Sequence, residues 1–238
     1  MTTSWDDGHP LDFRVANLLV KYGLAGTFYV PRSAERSVLN RAQILELSRS
    51  FEIGAHTLEH VYLDRISDTE AKKQLFGSRH WVQDVTGREC KVFCFPGGKF
   101  RKKHLSQLRE AGFQAARTVE LLSTEDPRRV NGLFLLPTTV QVYPHGRLTY
   151  LKNRLKRPFA ASLWGSYAPL RTNDLVVLAK DALDRVTARG GVFHLWGHSW
   201  EIEEYQLWDR LEQIFSMIAA RKRQFRAVTN GGLIPHAS

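Results

Sequence analysis

Cysteine is scarce in this chain: its 238 residues contain two, Cys90 and Cys94. Two thiols cannot build the disulfide framework of a small secreted scaffold, so reduced, buried side chains are expected. Long apolar runs are lacking too. No stretch approaches the roughly 18 apolar residues of a membrane span, and Met1 is followed by polar Thr2, Thr3 and Ser4 instead of a hydrophobic leader. A cytoplasmic protein is the resulting expectation, with peripheral contact at the inner face of the membrane left open. There is also no internal repeat, low-complexity tract or linker rich in proline or serine, which favours one domain over two at this length. Acidic residues are the minority charge. Asp plus Glu total 24 against 34 Lys plus Arg, a net +10 with histidines neutral, and that excess predicts affinity for anions without choosing among them.

What is present reads as strands alternating with helices. Thr2 to Trp5, Gly26 to Val30, Phe51 to Ala55, Val92 to Phe95, Phe113 to Thr118 and Val192 to Trp196 are strand-like. Helical periodicity covers Leu11 to Lys21, Arg41 to Arg49, Thr69 to Thr86, Lys102 to Ala111, Asn173 to Arg189 and Tyr205 to Ala220. Such alternation implies a mainly parallel sheet or a barrel. From about 119 to 169 the pattern weakens, which reads as an irregular, loop-rich insertion around one strand near Phe134 to Leu136.

Three segments bearing histidine or aspartate follow predicted strands, and a parallel α/β barrel gathers such strand ends on one face. The first is Ser4-Trp5-Asp6-Asp7-Gly8, where one carboxylate can bind a cation while its neighbour faces the space beside it; a helix-capping turn is the bland alternative. In the second, His56-Thr57-Leu58-Glu59-His60, two histidines four apart on a helical turn could share one ion. With Asp7 they supply one carboxylate and two imidazoles, the ligand count of a catalytic zinc site with an open position. The third, Gly191 to Glu201, carries His194 and His198 around Trp196. Gly197 lets the backbone turn there, so His198 should emerge on the active face, while His194 is either core or a supporting residue.

In these segments the chain resembles the polysaccharide deacetylases of the NodB homology type, carbohydrate esterase family 4. SWDDG is similar to that family's TFDDG, HTLEH to its H-S/T-x-x-H, Cys94-Phe95-Pro96-Gly97-Gly98 to its R-x-P-x-G, and GVFHLWGH occupies the place of its last motif, from Ser4 to about Trp200. The resemblance implies a distorted (β/α) barrel of about seven parallel strands and a metal-dependent hydrolase that removes an N-acetyl group from an amino sugar of a bacterial polysaccharide or glycolipid. It implies Asp7, His56 and His60 as ligands of a divalent metal, zinc by preference, Asp6 as general base and His198 as general acid. One departure is Cys94, which stands where the family has an arginine beside the catalytic aspartate; Arg117, one strand further on, is expected to supply that guanidinium. The family's aspartate behind the acid histidine has no clear counterpart; Glu201 and Glu203 are candidate substitutes, and a helix N-terminus enriched in acids explains them equally well.

Substrate contacts are expected from Trp5, Trp196 and Trp200, whose rings suit the apolar face of a sugar, and from Gln141 and His145 in the irregular region. The basic clusters Lys99 to Lys103, Arg128-Arg129, Arg154 to Arg157 and Arg221 to Arg223 could track a phosphate backbone, but they are dispersed and form no nucleic-acid motif, so nucleic acid is not expected. An anionic glycolipid or a sugar nucleotide is the partner that the charge favours. An amidase for a non-sugar amide or ureide is the competing enzyme reading, since fold does not settle substrate.

Overall fold

A computed structural model describes residues 1–146, 148–150, 152 and 172–235 of the chain. Its strands are β1 (Thr2–Asp6), β2 (Thr27–Val30), β3 (Glu52–Ala55), β4 (Val92–Cys94), β5 (Ala115–Arg117), β6 (Arg128–Val130), β7 (Leu133–Leu136), β8 (Val140–Gln141) and β9 (His194–His198). The helices are α1 (Asp12–Tyr22), α2 (Arg41–Ser48), α3 (Asp68–Thr86), α4 (Lys102–Glu110), α5 (Leu175–Arg189), α6 (Ser199–Glu204) and α7 (Trp208–Ala219). Local chemistry sets their ends: Gly23 closes α1 at φ 59°, the Asn40 and Gln43 side chains form a capping box on α2, and the Asp174 carboxylate accepts from Val176 and Val177 at the start of α5.

The strands form one sheet in the order β6-β7-β5-β4-β3-β2-β1-β9-β8, in which every pairing is parallel except β6 with β7. The curled sheet with helices outside it is the distorted (β/α) barrel expected, with seven regular parallel strands and the two-residue β8. Closure comes from the chain itself. Leu136 pairs with Arg117 on β5, and three residues later the Thr139 amide donates to the His194 carbonyl while Val140 pairs with Leu195 on β9. The segment from 133 to 141 therefore runs from β7, next to the edge strand β6, to β8 at the opposite edge of the sheet. This is where the sequence pattern was weakest: β6 is exposed and polar, and β8 is too short to show a period. Arg154 to Arg157 lie outside the described residues.

Alternation along the strands sorts side chains between two faces. On β1, Trp5 points outward and packs edge-on against Phe215 of α7 at 6.0 Å between centroids, while Ser4 and Asp6 point inward, to His194 and Arg117. The N-terminal end of the interior is closed by a polar cluster. Asn230 accepts from the Tyr29 hydroxyl, donates to Thr2, and takes up Thr27 through its own amide, all at 2.8–2.9 Å. The opposite end, where the strands finish, is left to the site.

Candidate metal centre and active site

Asp7 follows β1 at φ 75°, and Thr57 and His60, after β3, have φ of 60° and 51°. The expected helical turn at His56 to His60 is corrected: the segment is a bend with two left-handed residues. Each such non-glycine residue costs on the order of 1 kcal/mol or more, and here the bend turns both imidazoles toward Asp7. His56 Nε2 lies 3.3 Å and His60 Nε2 3.0 Å from Asp7 Oδ1. The buried Oδ1 nevertheless has no partner of hydrogen-bond geometry. His56 Nδ1 sits 2.8 Å from the Cys94 carbonyl, which can only accept, so Nδ1 carries the hydrogen and Nε2 is the ring atom turned toward the carboxylate. Nε2 and the carboxylate oxygen are both able to ligate a cation placed between them. The three ligand atoms lie within 4.8 Å of one another, and separations near 3 Å suit donors around an ion with bonds of roughly 2.0–2.2 Å. The residues present thus fit a small divalent ion, with the Cys94 carbonyl orienting one ligand from behind.

Asp6 is also buried but fully engaged on one side. Its Oδ2 accepts from Arg117 Nη2 and lies 3.6 Å from Cys94 Sγ, while Oδ1 is free of partners. Cys94 and Arg117 are register partners on β4 and β5, so the guanidinium reaches Asp6 from one strand further along. Burial raises the Asp6 pKa, but Arg117, His56 and His198 outweigh it and hold the carboxylate below its ordinary range. Burial, reinforced by the Asp6 and Asp7 carboxylates against the opposing charge of Arg117, pushes the Cys94 pKa well up, so it stays a thiol. On the other side of Asp6, His198 ends β9 with Nε2 3.8 Å from Asp6 Oδ2 and 3.9 Å from Asp7 Oδ2. Its Nδ1 is 2.5 Å from Glu201 Oε2. Burial lowers the His198 pKa, and Glu201 with the two aspartates more than reverses this, raising it to about 9. Glu203 instead accepts from Arg14 and Trp208. His194 is held between Ser4 and the Pro137 carbonyl, at 2.9 Å each, and burial pulls its pKa down to about 3. Of the two histidines, His198 alone faces the aspartates.

Residues 1–116 match the family model for polysaccharide deacetylase. The resemblance is thereby shown for the SWDDG, HTLEH and CFPGG segments, which lie within the matched residues. Structural comparison extends the likeness in fold to nearly the whole chain. A Mycobacterium smegmatis protein assigned to the polysaccharide deacetylases superposes with a TM-score of 0.71 at 14% identity, over 99% of this chain and 89% of its own. The peptidoglycan deacetylase PdaC from Bacillus subtilis and a family 4 acetyl xylan esterase from Clostridium thermocellum, the latter in complex with a cobalt ion, each give 0.56 at 17% identity over 98% of this chain and 88% of theirs. Comparison with curated proteins returns no match. The fold is the NodB-type deacetylase fold.

Two clefts of this deacetylase fold meet at the aspartates. One, of about 540 Å³, is lined by Asp7, His60, Arg36, Tyr62, Arg65 and Trp200 among others; the second, of about 320 Å³, is lined by Asp6, His198, Trp196, Phe95, Gln141 and His145 among others. Trp5 is corrected: it is fully buried against the helical layer and reaches neither cleft. Trp196 is 4% exposed, with the Arg117 guanidinium 4.3 Å from its ring centre, and serves as the floor of the second cleft. Trp200 donates to Asp7 Oδ2 at 2.9 Å, and Arg36 covers its ring at 3.8 Å. Gln141 and His145 line the second cleft with their polar ends occupied: the Gln141 amide donates to Glu201 at 3.3 Å and accepts from His145 Nε2 at 2.8 Å. Sequence reasoning missed Asp12, a buried carboxyl that accepts from Ser199 at 2.6 Å and whose pKa burial pushes well up, and it missed Arg36, Tyr62 and Arg65. No local pattern marks the last three, because their loops carry no regular period.

Proposed function

We propose that the protein is a metal-dependent hydrolase that removes an N-acyl group, acetyl by preference, from an amino sugar of a bacterial polysaccharide or glycolipid. The match of residues 1–116 to the polysaccharide deacetylase model supports the reaction class. The observation that carries the metal dependence is the convergence of the Asp7, His56 and His60 donor atoms on one point, with His56 Nδ1 held by the Cys94 carbonyl so that Nε2 is the atom presented there. Those three residues would hold the ion, zinc by preference, which when bound supplies a Lewis acid for the acyl carbonyl and acidifies the attacking water.

The chain's own groups handle the protons. Asp6 is kept ionised by Arg117, which occupies Oδ2 and leaves Oδ1 to accept the proton of the attacking water. A carboxylate held this firmly is a weak base, and the arrangement suits a nucleophile already made acidic. His198 carries a proton at neutral pH because Glu201 holds Nδ1, and Nε2, turned toward the aspartates, gives that proton to the departing amine. The two groups differ in environment as an acid and a base must: the acid has a raised pKa and the base a lowered one. The test is acetate release from N-acetylated amino sugars, paired with elemental analysis. Activity abolished by a chelator and restored by a divalent metal is expected; protein free of metal after metal-replete expression and inert on every such sugar overturns the reading.

A further inference from the structure

Trp200 was expected to offer its ring face to a sugar. In the larger cleft the rings of Trp200 and Tyr62 are instead covered by guanidinium groups. Arg36 lies over Trp200 with Cζ 3.8 Å from the ring centre, and the Trp200 ring lies 5.5 Å from the His198 ring, tilted by 38°. Arg65 lies over Tyr62 at 4.9 Å, and the Gly97 backbone approaches that ring so closely that an added Cβ would sit 3.1 Å from it. Stacking uses the flat face of a guanidinium and leaves its N–H edges to donate to a further partner. Among the described residues, no carboxylate forms an ion pair with either arginine, although three acids line the same cleft. Asp7 belongs to the metal centre, Glu59 is engaged by Arg32 at 3.0 Å and by Gln74 at 2.9 Å, and Glu35 is exposed. The cleft thus presents unpaired cations beside the reactive groups.

We propose that Arg36 and Arg65 are specificity residues that select an acylated amino sugar carrying an anionic group, a phosphate or a carboxylate, near the scissile amide. The proposal rests on the deacylase reading above and gives the chain's excess of positive charge one defined location. Bidentate N–H donation to anionic oxygens is the chemistry that guanidinium edges provide, and each such charge-assisted contact at an accessible site corresponds to about a five- to tenfold preference.

The test compares kcat/KM for neutral N-acetylglucosamine, its 1-phosphate and an N-acetylated amino sugar bearing a carboxylate. It uses the metal-replete wild type, Arg36→Gln and Arg65→Gln, at low and high salt, with calorimetric binding of the same compounds and thermal melts to confirm folding. One anionic compound is expected to exceed the neutral sugar by about tenfold or more, its identity distinguishing phosphate from carboxylate. Each substitution, and high salt, should reduce the anionic-to-neutral ratio about five- to tenfold. A ratio near one in the wild type, or one that neither substitution moves, overturns the proposal while leaving deacylation intact. If none of the three compounds is hydrolysed, the deacylase reading is what fails, and calorimetry decides the anion site separately: tighter anion binding lost in both variants upholds it, and equal binding of charged and neutral compounds overturns it.

Discussion

Asp6 and Asp7 are sequence neighbours with relative exposures of 3% and 8%, yet their surroundings are opposite in kind. Asp6 is matched within the chain, Arg117 neutralising it from β5 and His198 with Glu201 forming a second paired unit beside it. Asp7 faces two imidazole nitrogens without a hydrogen bond on Oδ1 and sits in a left-handed backbone conformation. Asp6 has its charge balanced by an arginine of the chain, although its Oδ1 and the Arg117 Nε and Nη1 atoms have no hydrogen bond, whereas Asp7 is flanked by two imidazoles and the Trp200 indole. Asp7, Thr57 and His60 are held at positive φ, where each costs stability, as Leu122, Asn131 and Gln206 are elsewhere in the chain. The convergence of the Asp7, His56 and His60 donor atoms supports the ion site proposed above.

Removing a donor from the Asp7 region should give the largest effect. His56→Ala and Asp7→Ala are each expected to lose the bound ion and to lower the rate on the order of 10⁴-fold, the scale of several kcal/mol of Lewis-acid stabilisation. Elemental analysis and single-turnover rates check this, and a variant with full metal content and normal rate would break the division drawn between the two aspartates. Asp6→Asn should separate the regions from the other side: metal content retained, kcat down roughly 10²–10⁴-fold. If Asp6→Asn also empties the ion site, then Asp6 is a ligand, and the two carboxylates differ less than their surroundings indicate.

Arg117→Met tests the Asp6 region in two measurements. It leaves the Asp6 carboxylate buried and unpaired, so urea denaturation should show a loss of about 3–5 kcal/mol at neutral pH. The sign with pH follows from the lowered Asp6 pKa. Stability from the ionised pair is fully present above the unfolded-state value of about 3.9 and is lost as pH falls through the lower folded value, so the gap between wild type and variant should close in strong acid. Without the guanidinium the Asp6 pKa rises, and the acidic limb of the rate profile should move up with it. Unchanged deacylation in Arg117→Met would remove any role for the residue beyond packing.

The same contrast explains how much could be read from sequence. Strands with apolar alternation, such as the segments around Phe28, Ile53 and Phe93, were placed within about two residues at their ends, because parallel strands buried on both faces leave a dense apolar record. Asp7, His56 and His60 were legible as a group because their spacing and strand-end positions are linear features. The bend that joins them was not, since the left-handed conformations at Thr57 and His60 have no glycine to announce them. Trp5 was misplaced because adjacent residues on β1 face opposite sides, and adjacency to Asp6 in sequence is therefore separation in space. Glu201 and Glu203 could not be told apart by spacing alone; the three-residue step from His198 brings Glu201 back onto its ring, while Glu203 meets Arg14. Arg36 and Arg65 left no trace, since stacking on Trp200 and Tyr62 depends on loops from different strand ends meeting over one cleft.

The smallest expected effect concerns the Glu201 contact and asks whether the paired region is tuned or merely neutral. His198 has its pKa raised to about 9, with Glu201 as the leading opposing influence to burial. Glu201→Gln keeps a hydrogen-bonding group near Nδ1 but removes the charge, so the His198 pKa should fall and the protonated fraction at pH 8 with it. The rate at neutral pH is expected to drop about tenfold or less, and the alkaline limb of kcat should shift downward, because the acid form disappears sooner. Stability follows the same sign. A raised pKa contributes stability that is fully present below the unfolded value of about 6.5 and is lost as pH rises through about 9, so wild type and variant should differ most in the acid-to-neutral range and converge in alkali. A Glu201→Gln enzyme with an unmoved alkaline limb would mean that the limb belongs to another group. The carboxylate would then orient the ring without setting its proton, and the paired region would resemble the metal side more closely: geometry supplied by the chain, charge supplied by the ion.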